Sequence, residues 1–142
     1  MICSLEINNL KCIKNMQMEC RNLNVLIGTN SSGKSTIQQA LLLVGQNLET
    51  VEGINGKLVE FGNFEDAKCI YSAEKELKVV IENNNKSFIE TKMVLSSDNE
   101  TYLVHTESGS EQEFEEWKKC FNIKKRGLQY LSCHRIGPRR AY

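Results

Sequence analysis

Between Leu23 and Val44 the chain reads LNVLIGTNSSGKSTIQQALLLV, and no other stretch restricts the fold as strongly. Leu23 to Ile27 is apolar in near continuity, broken only by Asn24, a pattern that predicts a buried strand. From Lys34 to Gln46, Ile37, Ala40, Leu41 and Val44 recur at helical spacing while Leu42 and Leu43 widen the apolar face, which predicts a helix. Gly28 to Thr36 must then join strand to helix as a tight loop opening onto the helix N-terminus.

Gly28, Gly33, Lys34 and Ser35 satisfy the pattern G-x-x-x-x-G-K-[ST], and each residue type has a physical task in it. Glycine lets the backbone curl without a Cβ clash, so that the N–H groups from Asn30 to Ser35 point inward at an anion. The helix N-terminus adds about half a positive charge. Lys34 is expected to reach the β- and γ-phosphates of a nucleotide, as the catalytic cation, and the Ser35 hydroxyl to ligate Mg²⁺. The expected binding set is Gly28, Asn30, Ser31, Ser32, Gly33, Lys34, Ser35 and Thr36. Two of its members keep two readings. Thr36 either caps or packs against the first helical turn, the favoured role, or bonds an α-phosphate; the Asn30 amide either braces the loop, again the favoured role, or faces solvent. An ordinary glycine turn before a helix is the competing account of the segment, and the flanking strand and helix weigh against it.

The remaining pattern is one of short strands. Cys3, Leu5 and Ile7 alternate with polar residues, Asn8-Asn9 reads as a turn, and Met16, Met18 and Cys20 alternate on a returning strand, which predicts a hairpin. Leu77, Val79 and Ile81, then Ile89, Thr91, Met93 and Leu95, alternate on either side of an Asn83-Asn84-Asn85 turn. Ser96 to Glu100 turns again into a strand at Thr101 to Thr106, completing an antiparallel meander. Ser110 and Glu113 have capping-box spacing ahead of a helix with Phe114, Trp117 and Phe121 on one face. Phe61-Gly62-Asn63-Phe64 predicts a turn with two core aromatics, and Leu128 to Cys133 a last strand.

A length of 142 residues, 40% apolar and 25% charged, suits one folded domain. Zero formal charge removes any global attraction to nucleic acid or membrane, but the charges are unevenly placed. Lys118 to Tyr142 holds eight basic residues and no acid, while Glu107 to Glu116 holds five Glu and no base. These blocks read either as solvated faces around a helix or as a basic surface for phosphate or a partner. The six cysteines form no C-x-x-C pair, so a zinc site is not expected. Ala40 to Val44, the longest apolar stretch, is too short for a bilayer, and reduced thiols in a cytoplasm are the expectation. His105 and His134 have no partner that sequence identifies.

LNVLIGTNSSGKST resembles the G-x-N-x-x-G-K-S-T form of the Walker A loop in ABC-class ATPases related to chromosome-maintenance (SMC-type) proteins, RecF and the overcoming-lysogenization-defect (OLD) nucleases. Gly28, Asn30, Gly33, Lys34, Ser35 and Thr36 match it. LEINNLKCIKNMQMEC and YLSCHRIGPRR are similar to segments of the bacterial AAA-type members of that group, some of which serve antiphage systems such as Septu and Gabija. The resemblance implies an α/β fold: a P-loop NTPase N-terminal lobe, with a strand–P-loop–helix unit beside an antiparallel β meander, and residues 1–142 as a single ATP-binding lobe. It implies ATP and Mg²⁺ as cofactors. As partners it implies a complementary ATPase lobe or second subunit, with a nuclease partner or DNA as further candidates and no membrane.

Turnover in such enzymes needs an acidic residue after an apolar strand to hold Mg²⁺, and another to orient water. Val79-Val80-Ile81-Glu82 comes nearest, but it alternates and runs into a turn, so Glu82 reads as part of the meander; Val94-Leu95 before Asp98 is weaker. No L-S-G-G-Q-like signature and no N-K-x-D guanine reader occurs. The expectation is an ATP/Mg-binding lobe, whether fragment, split product or relic, acting in DNA repair or antiphage defence once another lobe or subunit completes it. Alone it is expected to bind ATP weakly and to show no turnover. The alternatives are a noncatalytic docking module for a larger ATPase or nuclease, and a small P-loop kinase. Arg135, Arg139 and Arg140 read either as phosphate contacts or as surface charges.

Overall fold

The alternating segments pair into one sheet rather than into a hairpin and a separate meander. In the computed structural model, which describes residues 1–97 and 101–122, the strands are β1 (Ile2–Leu10), β2 (Ile13–Glu19), β3 (Glu76–Asn83), β4 (Phe88–Leu95) and β5 (Tyr102–Ser108). Their order is β2-β1-β3-β4-β5, and every pairing is antiparallel. The helices are α1 (Lys34–Glu49), α2 (Phe64–Ala67) and α3 (Glu111–Phe121), so the fold is mixed α/β.

Register decides which side chains are buried. Leu5 lies opposite Met18 and Ile81, Ile7 opposite Met16 and Val79, Val79 opposite Thr91, and Leu77 opposite Met93. Directly opposed residues share a face of the sheet, so these rows make one apolar surface. Ala40, Leu43 and Val44 of α1, with Trp117 and Phe121 of α3, close the core over it. The other face is polar: Lys78 stands 3.7 Å from Glu6 and 4.0 Å from Glu90, and Lys92 lies 2.8 Å from Glu76.

The end of α3 follows its sequence signals. Ser110 Oγ accepts from Glu113 N at 3.3 Å, one half of the expected capping box. Trp117 Nε1 donates to Ser87 Oγ at 3.0 Å, which satisfies a buried indole. Ser87→Ala should therefore lower stability by about 1.5 kcal/mol, seen as a lower urea midpoint with an unchanged m-value. Phe61 and Phe64 are both buried on either side of Gly62, whose φ is 89°, so the expected turn with two core aromatics is present. The short α2 that follows was not expected; Asn63 and Asp66 hold it with a reciprocal capping box.

Three expectations are corrected. Leu23 to Ile27 is not a strand: Leu23, Val25 and Ile27 are 80%, 71% and 91% exposed. Asn24 closes a turn instead, accepting from Arg21 N at 2.9 Å and donating to Arg21 O at 2.8 Å. An apolar run is buried as a strand only where other strands lie beside it, and none of the described strands does. The strand–loop–helix unit is thus realised as loop and helix. Nor is Asn8-Asn9 a turn, since β1 runs on to Leu10, which pairs with Ile13 across a Lys11-Cys12 turn. Asn9 keeps the left-handed φ of 60° that favours asparagine, but inside the strand, and its amide crosses to the segment ahead of β3. Finally, α1 continues past Gln46, because Gln46 and Asn47 turn inward and both donate to Gly53 O, at 2.8 and 2.9 Å.

Glu82 pairs with Phe88 within the β3–β4 ladder. Leu128 to Cys133, His134, Arg135, Arg139 and Arg140 lie outside the described residues, as do Asp98 to Glu100 of the expected turn. Among the described residues no helix is long and apolar enough to cross a membrane.

Candidate functional site

The first turn of α1 has no side-chain cap. Its first backbone bond runs from Ile37 N to Gly33 O at 3.0 Å, so the N–H groups of Lys34, Ser35 and Thr36 have no acceptor among the described residues. Gly33 sits just before the helix with φ 94°, where a Cβ would also stand 3.2 Å from Cys12 Sγ. Glycine is required there by conformation and by space. At Gly28 a Cβ would fall 2.7 Å from Ser32 Oγ.

Lys34 folds back over the loop that it follows. Its ammonium donates to Gly28 O at 2.8 Å, to Thr29 O, and to Ser32 Oγ at 3.3 Å. These three bonds match the three donors of an ammonium group and tie both ends of the loop together.

A cavity of about 310 Å³, at the lower end of the usual range for small-molecule sites, opens beside the loop and is lined by Asn30, Ser31, Gly33, Lys34, Ser35 and Thr36 together with Lys11 and Cys12. Gly28 and Ser32, also in the expected set, do not line it; they support Lys34 from behind. Thr36 is buried, with Oγ1 3.6 Å from Cys12 Sγ of the β1–β2 turn, and it also lines the cavity. Asn30 is exposed and makes no side-chain hydrogen bond among the described residues, so the bracing role is not realised. Among the described residues neither Glu82 nor any other carboxylate lines the wall.

Lys11 and Cys12 were not anticipated. They sit at the β1–β2 turn, more than twenty positions before α1 starts, and nothing in the local pattern marks them as part of the loop's surroundings. Contact between the hairpin tip and Gly33 brings them in.

A profile of the AAA ATPase domain matches residues 1–132, which covers most of the chain. The chain belongs to the AAA ATPase domain family. Membership supports ATP-binding ATPase function, and nucleotide binding in an AAA ATPase domain usually involves a divalent metal. The matched region includes both the hairpin tip and the glycine loop, so both walls of the cavity belong to the AAA ATPase domain. No curated protein matches the chain.

Proposed function

We propose that Gly28 to Thr36 is a Walker A phosphate grip, and that the chain is the ATP- and Mg²⁺-binding lobe of an ABC-class AAA-type ATPase related to RecF, SMC-type and OLD proteins. One observation carries this reading: an uncapped helix N-terminus and Lys34 face a cavity whose wall has no carboxylate among the described residues. Such a wall attracts a polyphosphate and has nothing to repel it.

In this reading Lys34 exchanges a loop acceptor for phosphate oxygen, and the free amides of Lys34, Ser35 and Thr36 donate to the same group. Ser35, whose side chain is exposed at the cavity wall, would hold Mg²⁺ through its hydroxyl, and the metal would offset phosphate charge there. The described wall has no acid to orient an attacking water, so turnover depends on a complementary lobe or second subunit. The exposed Leu23, Val25 and Ile27 are where that lobe would add strands, burying the run that the described sheet leaves uncovered. Action in DNA repair or antiphage defence, with a nuclease or DNA as partner and in a cytoplasm, belongs to this proposal through the family resemblance.

The same apolar run also fits a noncatalytic docking module. Partner capture unaffected by Lys34→Ala, in a chain that does not bind ATP, would favour it.

Thiol footprinting tests the grip. Cys12 and Cys120 are both exposed, while burial, and then Cys3 beside it, pushes the Cys20 thiol pKa up. Mg·ATP at ten times its Kd should slow alkylation of Cys12 about tenfold and leave Cys120 unchanged. Equal Cys12 rates with and without nucleotide, at concentrations that saturate binding, would remove the loop from the site.

A further inference from the structure

We propose that Cys3 and Cys20 form a reversible dithiol–disulfide site, which staples the open end of the β1–β2 hairpin when a small disulfide such as glutathione disulfide reaches it.

Strand register brings the two residues together. Ser4 lies opposite Glu19 in the β1–β2 ladder, and one step further out Cys20 N donates to Cys3 O at 2.8 Å. Cys3 and Cys20 are therefore directly opposed, and opposed side chains leave the sheet on the same face. In a hydrogen-bonded antiparallel pair the Cα atoms stand about 5.5 Å apart, within the roughly 4.4–6.8 Å that a disulfide spans. No other two cysteines among the described residues are opposed in this way. Cys12 is at the far end of the hairpin, Cys69 follows α2 and Cys120 is on α3.

The setting of each sulfur fits the pairing. Cys20 is half-buried and, with Ile2, Arg21 and Leu41, lines a cavity of about 430 Å³ that gives a small oxidant access. Burial, and then Cys3, pushes the Cys20 pKa up, and the second cause requires the two sulfurs to be close. Cys3 Sγ is held by a weak bond to Glu82 O at 3.3 Å.

In the reaction, the Cys20 thiolate attacks one sulfur of glutathione disulfide and releases one glutathione thiolate, leaving a mixed disulfide. Cys3 loses its proton to water, attacks Cys20 Sγ and expels the second glutathione. The protein gives up two hydrogens and two electrons, and glutathione disulfide takes them as two thiols. A disulfide draws Cβ atoms to about 3.5–4.5 Å, closer than the roughly 4.5–5.5 Å usual between opposed residues. Cys20 lies just past the end of β2, an edge strand whose described pairing is with β1 alone, so the chain can draw in there. The strain that remains leaves the bond easy to reduce. Once formed, it tethers the chain where β2 passes into the Arg21–Asn24 turn.

Disulfide mapping of the full chain tests this. The folded protein is incubated with excess glutathione disulfide, alkylated under denaturing conditions and digested without reduction for mass spectrometry. A Cys3–Cys20 cross-linked peptide should form, and form faster in the folded chain than in urea. The unfolding temperature should rise by about 5 °C and return on treatment with dithiothreitol. Cys3→Ser should stop at a glutathione adduct on Cys20, with no such rise. Because the cross-link is read in the wild-type chain, the outcome does not depend on the folding of that variant. A lasting glutathione adduct on wild-type Cys20, or links from Cys3 or Cys20 to any other cysteine, overturns the pairing. So does a cross-link that forms equally fast in urea, or no reaction at either residue. A Cys3–Cys20 link that leaves the unfolding temperature unchanged overturns the staple.

Discussion

Lys34→Ala should weaken Mg·ATP binding by about a hundredfold while leaving the unfolding temperature within a degree or so of wild type. A charge-assisted bond to a phosphate contributes about 1.5–3 kcal/mol, or roughly a tenfold to 150-fold change in affinity. The upper part of that range applies because Lys34 has a second task. Its ammonium ties Gly28 O and Thr29 O to Ser32 Oγ, so its removal also loosens the loop whose amides are proposed to bind the anion. The fold itself should be indifferent, since these bonds are exposed and lie outside the core. Lys34→Arg should rescue little, because a planar guanidinium cannot reproduce three donors converging from one nitrogen. Dialysis with calorimetric unfolding checks both parts, and wild-type affinity in Lys34→Ala would end the phosphate-grip reading.

Asn9→Ala should cost about 3 kcal/mol of stability, roughly 10 °C in the unfolding temperature of a chain this size. Asn9 is fully buried, with Nδ2 donating to Glu74 O at 3.1 Å and Glu76 O at 2.6 Å, and Oδ1 accepting from Cys69 N at 3.1 Å. Alanine leaves two part-buried carbonyls without that donor and must still hold φ near 60°, which asparagine tolerates better. Asn9→Gly separates the two costs, because it removes the hydrogen bonds but relieves the backbone; it should be milder than Asn9→Ala by about 1 kcal/mol. Asn9→Asp should be the worst of the three near neutral pH, since it aims a buried carboxylate at two carbonyl oxygens. Urea unfolding of the three variants checks this order. An Asn9→Ala protein as stable as wild type would show that the latch between β1 and the segment before β3 does not hold the fold.

Parts of the architecture were legible because their signal is local. The alternation of Leu77, Val79 and Ile81 against Ile89, Thr91 and Met93 fixed both the hairpin and its buried face, since a one-residue slip would turn every apolar side chain to solvent. Ser110 and the one-faced row of Trp117 and Phe121 marked α3 in the same way. The candidate loop was legible too, because the positive φ at Gly33 is a demand that glycine meets best.

Other parts were hidden for a common reason. Asn9 carries the residue type of a turn, yet its amide acts on carbonyls more than sixty positions away, and no local pattern shows that. Leu23 to Ile27 reads as buried because apolar residues favour burial, but burial needs neighbours, and the described strands all pair elsewhere.

The sequence by itself determined the glycine pattern of the loop, the start of the helix behind it and the pairing of β3 with β4, because each depends on residues close together in the chain. Only the tertiary structure decided that the hairpin tip closes the cavity, that Lys11 lines the same space as Lys34, and that no carboxylate among the described residues lines it with them. Those facts arise from the packing of a turn against a helix start more than twenty residues later, a contact set by the shared core beneath both and not by either segment alone.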